Sequence, residues 1–513
     1  MTIEALFSEL ELLRIENHGL KLLQEKNATE IKFYDDETSR LNEIIRLLKR
    51  DIYGPRKERW LNQDQLVLFN EAEAEAAKPK GKTEDEILVP AHKRRRGKRR
   101  PLPPNLPREV VVLDLPESEK VAPDGSLLRL MGKEISEKLV SVPARMKVVE
   151  YHRLKYGGAE GKDTVKIAPP IACIIPKGIV TPSLLASIVT DKFADGLPLY
   201  RQEERFARQG IEISRSSMGR WIVRAASECQ PVWNALEERL MASPYVGCDE
   251  TRVQVLKEDG RPAESQSWMW IRTTPSDSTK IALFDYDPSR SGNVAKRLFA
   301  GYKGYLQVDG YGGYNALEKK EGIIRLGCNM HGRRKFHDAS LGSEKGQPLA
   351  KVGLDYYHKL NEIEERAKEL SWQERFLLRE KEATSIWSEM KTWAEKNYAV
   401  VPPKSKIGTA FHYFIGEYEY LTAYLKDGML LFDNGFTERT VKYFAIGRKN
   451  WLFSDTVGGA KASSLFYSFV VTAKLNGLNP YDALDRIFTE VPLAKTIDDY
   501  ERIATYLLSP AKT

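Results

Sequence analysis

The stretch YLQVDGYGGYNAL, residues 305–317, limits the architecture more tightly than any other. Tyr305, Leu306 and Val308 read as a buried strand, and the run ends on a carboxylate, Asp309, followed by glycines at 310, 312 and 313. A second run, YVGCDETRV, sets Asp249 in the middle of a strand pattern. A carboxylate is costly to bury without a partner. The two strands are therefore expected side by side in one sheet, with both acids facing a shared space. Close carboxylates repel, and a divalent cation relieves that repulsion. The glycines are expected to let backbone and substrate approach Asp309, although a tight turn is glycine's other use.

Around these acids the text reads as strands (YVGCDETRVQVL, QSWMWIRTT, KIALFDYD), a helix near 291–300, then GYLQVDGYGGY and GIIRLGCNMH. That order suggests a mixed α/β layer structure. Glu438, opening a helix after the turn Asp433-Asn434-Gly435, supplies a third acid. Three such acids can hold two hard cations about 3.5–4 Å apart for in-line attack on phosphorus. Other acids compete for the role: Asp285 and Asp287 also end a strand, Glu250 and Asp433 are near neighbours, and Glu438 is one turn from Lys442. Cys328 and His331, with His337 nearby, make half a zinc site that no second cysteine pair completes. His331, beside Arg333, Arg334 and Lys335, reads better as support for the active centre or a phosphate contact.

The N-terminal quarter is different. Stepping alternately by four and three from Leu6 to Ile52 gives fourteen seam positions, ten of them apolar, with Asn17 at an a-type position. A self-associating coiled coil or a long helix packed on its own domain both fit. Residues 93–100, KRRRGKRR, carry seven basic residues: Lys93, Arg94, Arg95, Arg96, Lys98, Arg99 and Arg100. Without them the 79 basic residues fall to 72, equal to the 72 acidic ones, so the surplus charge can be assigned to one short run. With Pro90, Pro101, Pro103, Pro104 and Pro107 around it, this run reads as a flexible arm that meets a polyanion. It would either lie in a minor groove or bind phosphates without regard to sequence.

Residues 109–170 look like a small β-rich module without cysteine. From Leu199 the text gives a helix, a turn at Gly210, a Ser214 cap and a second helix. That is a helix-turn-helix pattern, in which Arg215, Ser216, Ser217 and Arg220 would face DNA; an ordinary helical hairpin has the same pattern. The four cysteines (173, 229, 248 and 328) show no paired spacing, which argues against a disulfide framework. No apolar run approaches the roughly 18 residues that span a bilayer, and the acidic start lacks the basic n-region of a signal peptide. A cytoplasmic protein is expected.

The segments LLKRDIYGPRKER, LPLYRQEERFARQGIEISRSSMGRW, GCDET, VDGYGGY, CNMHGRRKF, TERTVKYFAIGRKNWLF and AKLNGLNPYDAL occur in an order that resembles the insertion-sequence-66 family of transposases. The resemblance covers most of the chain. It implies an Asp-Asp-Glu enzyme with a ribonuclease-H-like core, Asp249, Asp309 and Glu438 as catalytic metal-binding acids, and Mg²⁺ as cofactor with Mn²⁺ able to substitute. His331, Arg333, Arg334 and Lys442 would contact phosphate. It also implies double-stranded DNA as partner (terminal inverted repeats and target), a homo-oligomer, other element-encoded proteins, no membrane, and a place on the bacterial nucleoid when bound to DNA. The alternative is a catalytically inactive DNA-binding regulator derived from a transposase.

The expected fold class is multidomain α+β: a coiled coil (1–60), a basic Pro-rich arm (61–108), a small β-rich module (109–175), a helix-turn-helix region (176–240), an α/β core (241–455) with a helical insertion about 340–430, and a helical C-terminus (456–513). The family usually carries a zinc module on two cysteine pairs before the helix-turn-helix. None is present in 109–170, so no zinc is expected there.

Overall fold

The computed structural model describes residues 17–45 in part, 109, 110, 112, 146–157, and 165–509 apart from 318–321 and 342–347. The basic octet, with Arg94, Arg95, Arg96, Lys98, Arg99 and Arg100, lies outside the described residues. Two compact units divide the chain, one of residues 58–170 and one of 1–57 with 171–513. In the first, strands β1 (Lys155–Gly157) and β2 (Val165–Ile167) pair antiparallel. Arg153 Nε donates to the Ala168 carbonyl at 2.7 Å and closes the base of this hairpin. In the second unit, the described residues between 17 and 45 are helical, and the seam residues Ile31, Tyr34, Leu41 and Ile45 are exposed.

From residue 171 the fold is mixed α+β. Helix α1 (Pro182–Phe193) starts at a Thr181 cap with proline in its first turn, the position where a missing N–H costs nothing. Helix α2 (Leu199–Ala207) follows; then Gly210, at φ +75°, turns the chain into the Ser214 cap of α3 (Arg215–Ala242). The helix runs on through Pro231 because Cys229, Val232, Trp233, Leu236 and Leu240 bury one face in the core, and that burial outweighs one lost backbone donor.

The sheet holds β3 (Tyr245–Lys257), β4 (Gln266–Thr273), β5 (Ala282–Asp287), β6 (Gly304–Gln307), β7 (Ile323–Leu326) and β8 (Ser454–Thr456). Its order is β5-β4-β3-β6-β7, and β8 pairs with the far end of β3. β3, β4 and β5 are antiparallel neighbours, while β6 and β7 run parallel to β3. Helix α4 (Gly292–Leu298) makes the crossover from β5 to β6.

After β7 come α5 (Asn329–Leu341), α6 (Pro348–Ala367), α7 (Trp372–Tyr398) and α8 (Lys406–Gly416). They build a second hydrophobic core around Phe336, Tyr357, Trp387, Phe411 and Phe414. Arg379, almost fully buried there, is neutralised by two contacts to Glu364 at 2.6 and 2.9 Å. The chain then returns to the sheet in α9 (Gly435–Trp451), followed by α10 (Val457–Leu475), α11 (Pro480–Glu490) and α12 (Ile497–Leu508).

The main core does not divide at 240 or at 455. Ile188, Leu236, Val246, Phe284, Phe466 and Leu507 belong to one cluster. Arg272 of β4, fully buried, pairs with Glu237 of α3 at 2.6 Å and Asp285 of β5 at 2.9 Å. Trp233 Nε1 of α3 donates to Ser468 of α10 at 3.1 Å. The helices flanking the sheet are one packed layer with it.

Candidate active site

The pairing registers place the acids. β3 and β6 pair 245↔305, 246↔306 and 247↔307, a constant offset of 60. β6 and β7 pair 304↔323 through 307↔326, a constant offset of 19. The ladder continues past β6, since Val308 N donates to the Leu326 carbonyl at 3.0 Å. Asp249, Asp309 and Cys328 lie two residues beyond the last of these pairs, at the same end of three neighbouring parallel strands, and the charges of Asp309 and Glu438 act on Asp249.

Glu438 comes to this end of the sheet from the first turn of α9. That turn is fixed to the middle of the sheet. Asn434 Nδ2 donates to the Cys248 carbonyl at 2.9 Å, and Thr437 Oγ1 lies 2.9 Å from Thr273 Oγ1. Gly247 makes the approach possible, because a Cβ there would overlap Thr437 Oγ1. Glu438 turns towards the end of β7: Cys328 Sγ–H donates to its Oε1 at 3.7 Å, and His331 Nδ1 lies 3.6 Å from the same oxygen. Among the described residues, the only three His, Cys, Asp or Glu side chains whose ligand atoms all lie within 4.8 Å of one another are Cys328, His331 and Glu438. The two aspartates and Glu438 therefore share a neighbourhood without closing to that distance.

Electrostatics mark the same place. The Asp249 carboxyl is pushed up to about 8, first by burial, then by the charges of Glu250, Asp309 and Glu438. Glu250 is also raised, again by burial first, although Tyr314 and Arg290 bind it. Such a site favours a proton or a cation, and carboxylate oxygens suit a hard divalent ion. The Cys328 thiol is raised by burial and then by Glu438 and Asp433.

The fold adds Arg290, Tyr311 and Tyr314, which the sequence did not single out, to Glu250, which it did. Glu250 pairs with Arg290 at 2.6 Å and accepts from Tyr314 at 2.5 Å. The Arg290 guanidinium sits 3.7 Å from the centre of the Tyr311 ring, and the Tyr311 amide donates to Asp309 Oδ1 at 3.0 Å. Arg290 thus links the surroundings of both aspartates. The signal was present in the tyrosines of YGGY and in FDYDPSR, but only the fold brings them together. The expected clearance by glycine is corrected here. The space beside Gly310 is filled by the Tyr413 ring and that beside Gly313 by Tyr311, while only Gly312 faces open space. The inserted helices occupy that room.

The expected DNA contacts fall on two faces. Arg215, Ser216 and Arg220 are exposed at the start of α3 and Ser217 is half-buried. Arg220 donates to Ser217 Oγ at 3.1 Å, and Ser214 Oγ donates to the same atom at 3.1 Å. Met218 and Ile222 of the same helix are buried. His331 and Arg333 are half-buried on α5, Arg334 is exposed beside them, and Lys442 is exposed on α9.

The fold and site define a mixed α+β protein whose parallel strand ends gather acids, a thiol and an imidazole. The chain belongs to the IS66 family of transposases: the family's transposase model matches residues 177–462, and a second, described as "Transposase C of IS166 homeodomain", matches 40–111. The first match takes in all three acids, and the second takes in the basic octet. Similar proteins include three uncharacterized proteins of Sinorhizobium fredii (strain NBRC 101917 / NGR234). The protein y4hP is 29% identical over 85% of this chain and 83% of its own. The protein y4qI is 30% identical over 93% and 90%, and y4jD is 32% identical over 75% and 78%. Among the described residues, no helix is long and apolar enough to cross a membrane.

Proposed function

We propose that the chain is a DNA transposase that cuts DNA at the ends of its element and joins the freed 3′ ends to target DNA. Its core is read as ribonuclease-H-like, with Asp249, Asp309 and Glu438 as the acids that hold Mg²⁺, Mn²⁺ substituting. The observation that carries the reading is that Asp249 and Asp309 lie at the same end of neighbouring parallel strands, with the charges of Asp309 and Glu438 acting on Asp249 and the helix of Glu438 fastened to β3 and β4. When bound, hard divalent ions activate an attacking oxygen and stabilise the leaving oxygen on phosphorus. The chain's own part is positional. β3 and β6 hold the aspartates, the Tyr311 amide fixes one Asp309 oxygen, and Arg290 keeps the neighbouring Glu250 paired. His331, Arg333, Arg334 and Lys442 are read as the phosphate contacts.

Recognition of the terminal repeats is assigned to the start of α3, through Arg215, Ser216, Ser217 and Arg220, and to the basic octet. Two element ends must be held at once, so a homo-oligomer formed through the N-terminal heptads is part of the reading, as are accessory element-encoded proteins and a cytoplasmic, nucleoid-bound location. The test compares wild type with Asp309→Asn on DNA carrying the element ends. Equal DNA binding with loss of Mg²⁺-dependent cleavage supports the enzyme. Binding without cleavage by either protein supports a regulator derived from a transposase.

A further inference from the structure

Cys328, His331 and Glu438 form a compact set of mixed donors. Two edges of the triangle are 3.7 Å (Sγ to Oε1) and 3.6 Å (Nδ1 to Oε1), and the third is within 4.8 Å. A tetrahedral zinc ion with bonds of about 2.3 Å to sulfur and about 2.0–2.1 Å to nitrogen or oxygen separates its ligands by roughly 3.3–3.5 Å. The first two edges therefore need movements of only a few tenths of an ångström. His331 Nδ1 is buried and has no hydrogen-bond partner among the described residues. Asn434 N–H donates to Cys328 Sγ at 3.3 Å, the kind of outer contact that steadies a metal thiolate. Cys328 is held rigidly just beyond β7, and His331 stands one turn on at the start of α5.

We propose that Cys328, His331 and Glu438 bind one Zn²⁺ ion, or a Zn-like ion such as Co²⁺, with a fourth position left to water, and that this ion draws Glu438 away from Asp249 and Asp309. The thiol and imidazole select a softer metal than the all-oxygen pair of aspartates does. Binding exchanges the Cys328 thiol proton for the metal, so one proton is released per ion. The half-site visible in the sequence thus gains its third ligand from a residue 110 positions later. The binding claim stands on the triangle alone; the competition for Glu438 rests on the transposase reading.

The test uses the full-length protein freed of metal. Titration with Co²⁺ should give one equivalent with a thiolate-to-cobalt charge-transfer band and tetrahedral visible bands, and Zn²⁺ should displace it. Cys328→Ser should abolish the charge-transfer band, while Cys173→Ser, at the partly exposed thiol outside the triangle, should keep it. His331→Gln, which spares the buried thiol, should weaken Zn²⁺ binding by more than the roughly 10–100-fold that loss of an outer-shell partner causes. Absence of the band in wild type, or its survival in Cys328→Ser, overturns the site. A band without any Mg²⁺-dependent DNA cleavage leaves the site standing and removes the transposase reading. Cleavage without a band does the reverse.

Discussion

Asp249 is the residue whose chemistry is most exposed to test. Its carboxyl is pushed up to about 8 in the fold, against an ordinary value near 4. Between those values the metal-free folded protein binds the proton better than the unfolded chain does. Its contribution to stability is therefore largest below the unfolded value, declines as pH rises from about 4 to about 8, and is flat above. Asp249→Asn should remove that part of the decline, so thermal melts in EDTA should show a higher Tm than wild type at pH 8 and a smaller difference at pH 4. A divalent ion that the acids hold should reverse the order, with Mg²⁺ raising the Tm of wild type at pH 8 and leaving the variant unmoved. A variant that melts below wild type in EDTA at pH 8 would show that the raised carboxyl is not a strain on the fold.

At the scale of elements, the decisive contact is β3 against the first turn of α9. Gly247→Ala puts a methyl group where Thr437 Oγ1 sits. The expected cost is about 1–3 kcal/mol of overpacking, read by denaturant unfolding, together with a loss of activity larger than the loss of stability explains, because Glu438 moves with its helix. Strands and acids were legible in the sequence because both signals are local. An apolar run, a lone carboxylate and a following glycine all fall within a few residues. The neighbouring strands of Asp249 and Asp309 were expected from the sequence, whereas the placing of Cys328 beside Glu438 was not, since it depends on strand register and on a helix far along the chain. The reach of Glu438 to Cys328 and His331 was hidden by the helices between them.

At the scale of the molecule, boundaries drawn by composition at 240 and 455 cut through one core. Removing residues 457–513 would strip Phe466, Phe469, Val470 and Leu507 from that core. Such a truncation should lose its cooperative melting transition and become insoluble, whereas a separable domain would leave a soluble, folded remainder. Arg272→Ala tests the same unity more gently. It leaves Glu237 and Asp285 without their buried cation, for an expected loss of about 3–5 kcal/mol, measurable as a fall in the denaturant midpoint. The identity of the family was legible in the sequence through its ordered segments, while the packing that unites them was not.

The fastening of α9 to β3 through Asn434 and to β4 through Thr437 has one more consequence. It makes the position of Glu438 independent of the route by which the chain gets there. The helical excursion between β7 and α9 is a detour with both ends pinned, so a change of length at a turn such as the one between Tyr398 and Lys406 should leave Glu438 in place.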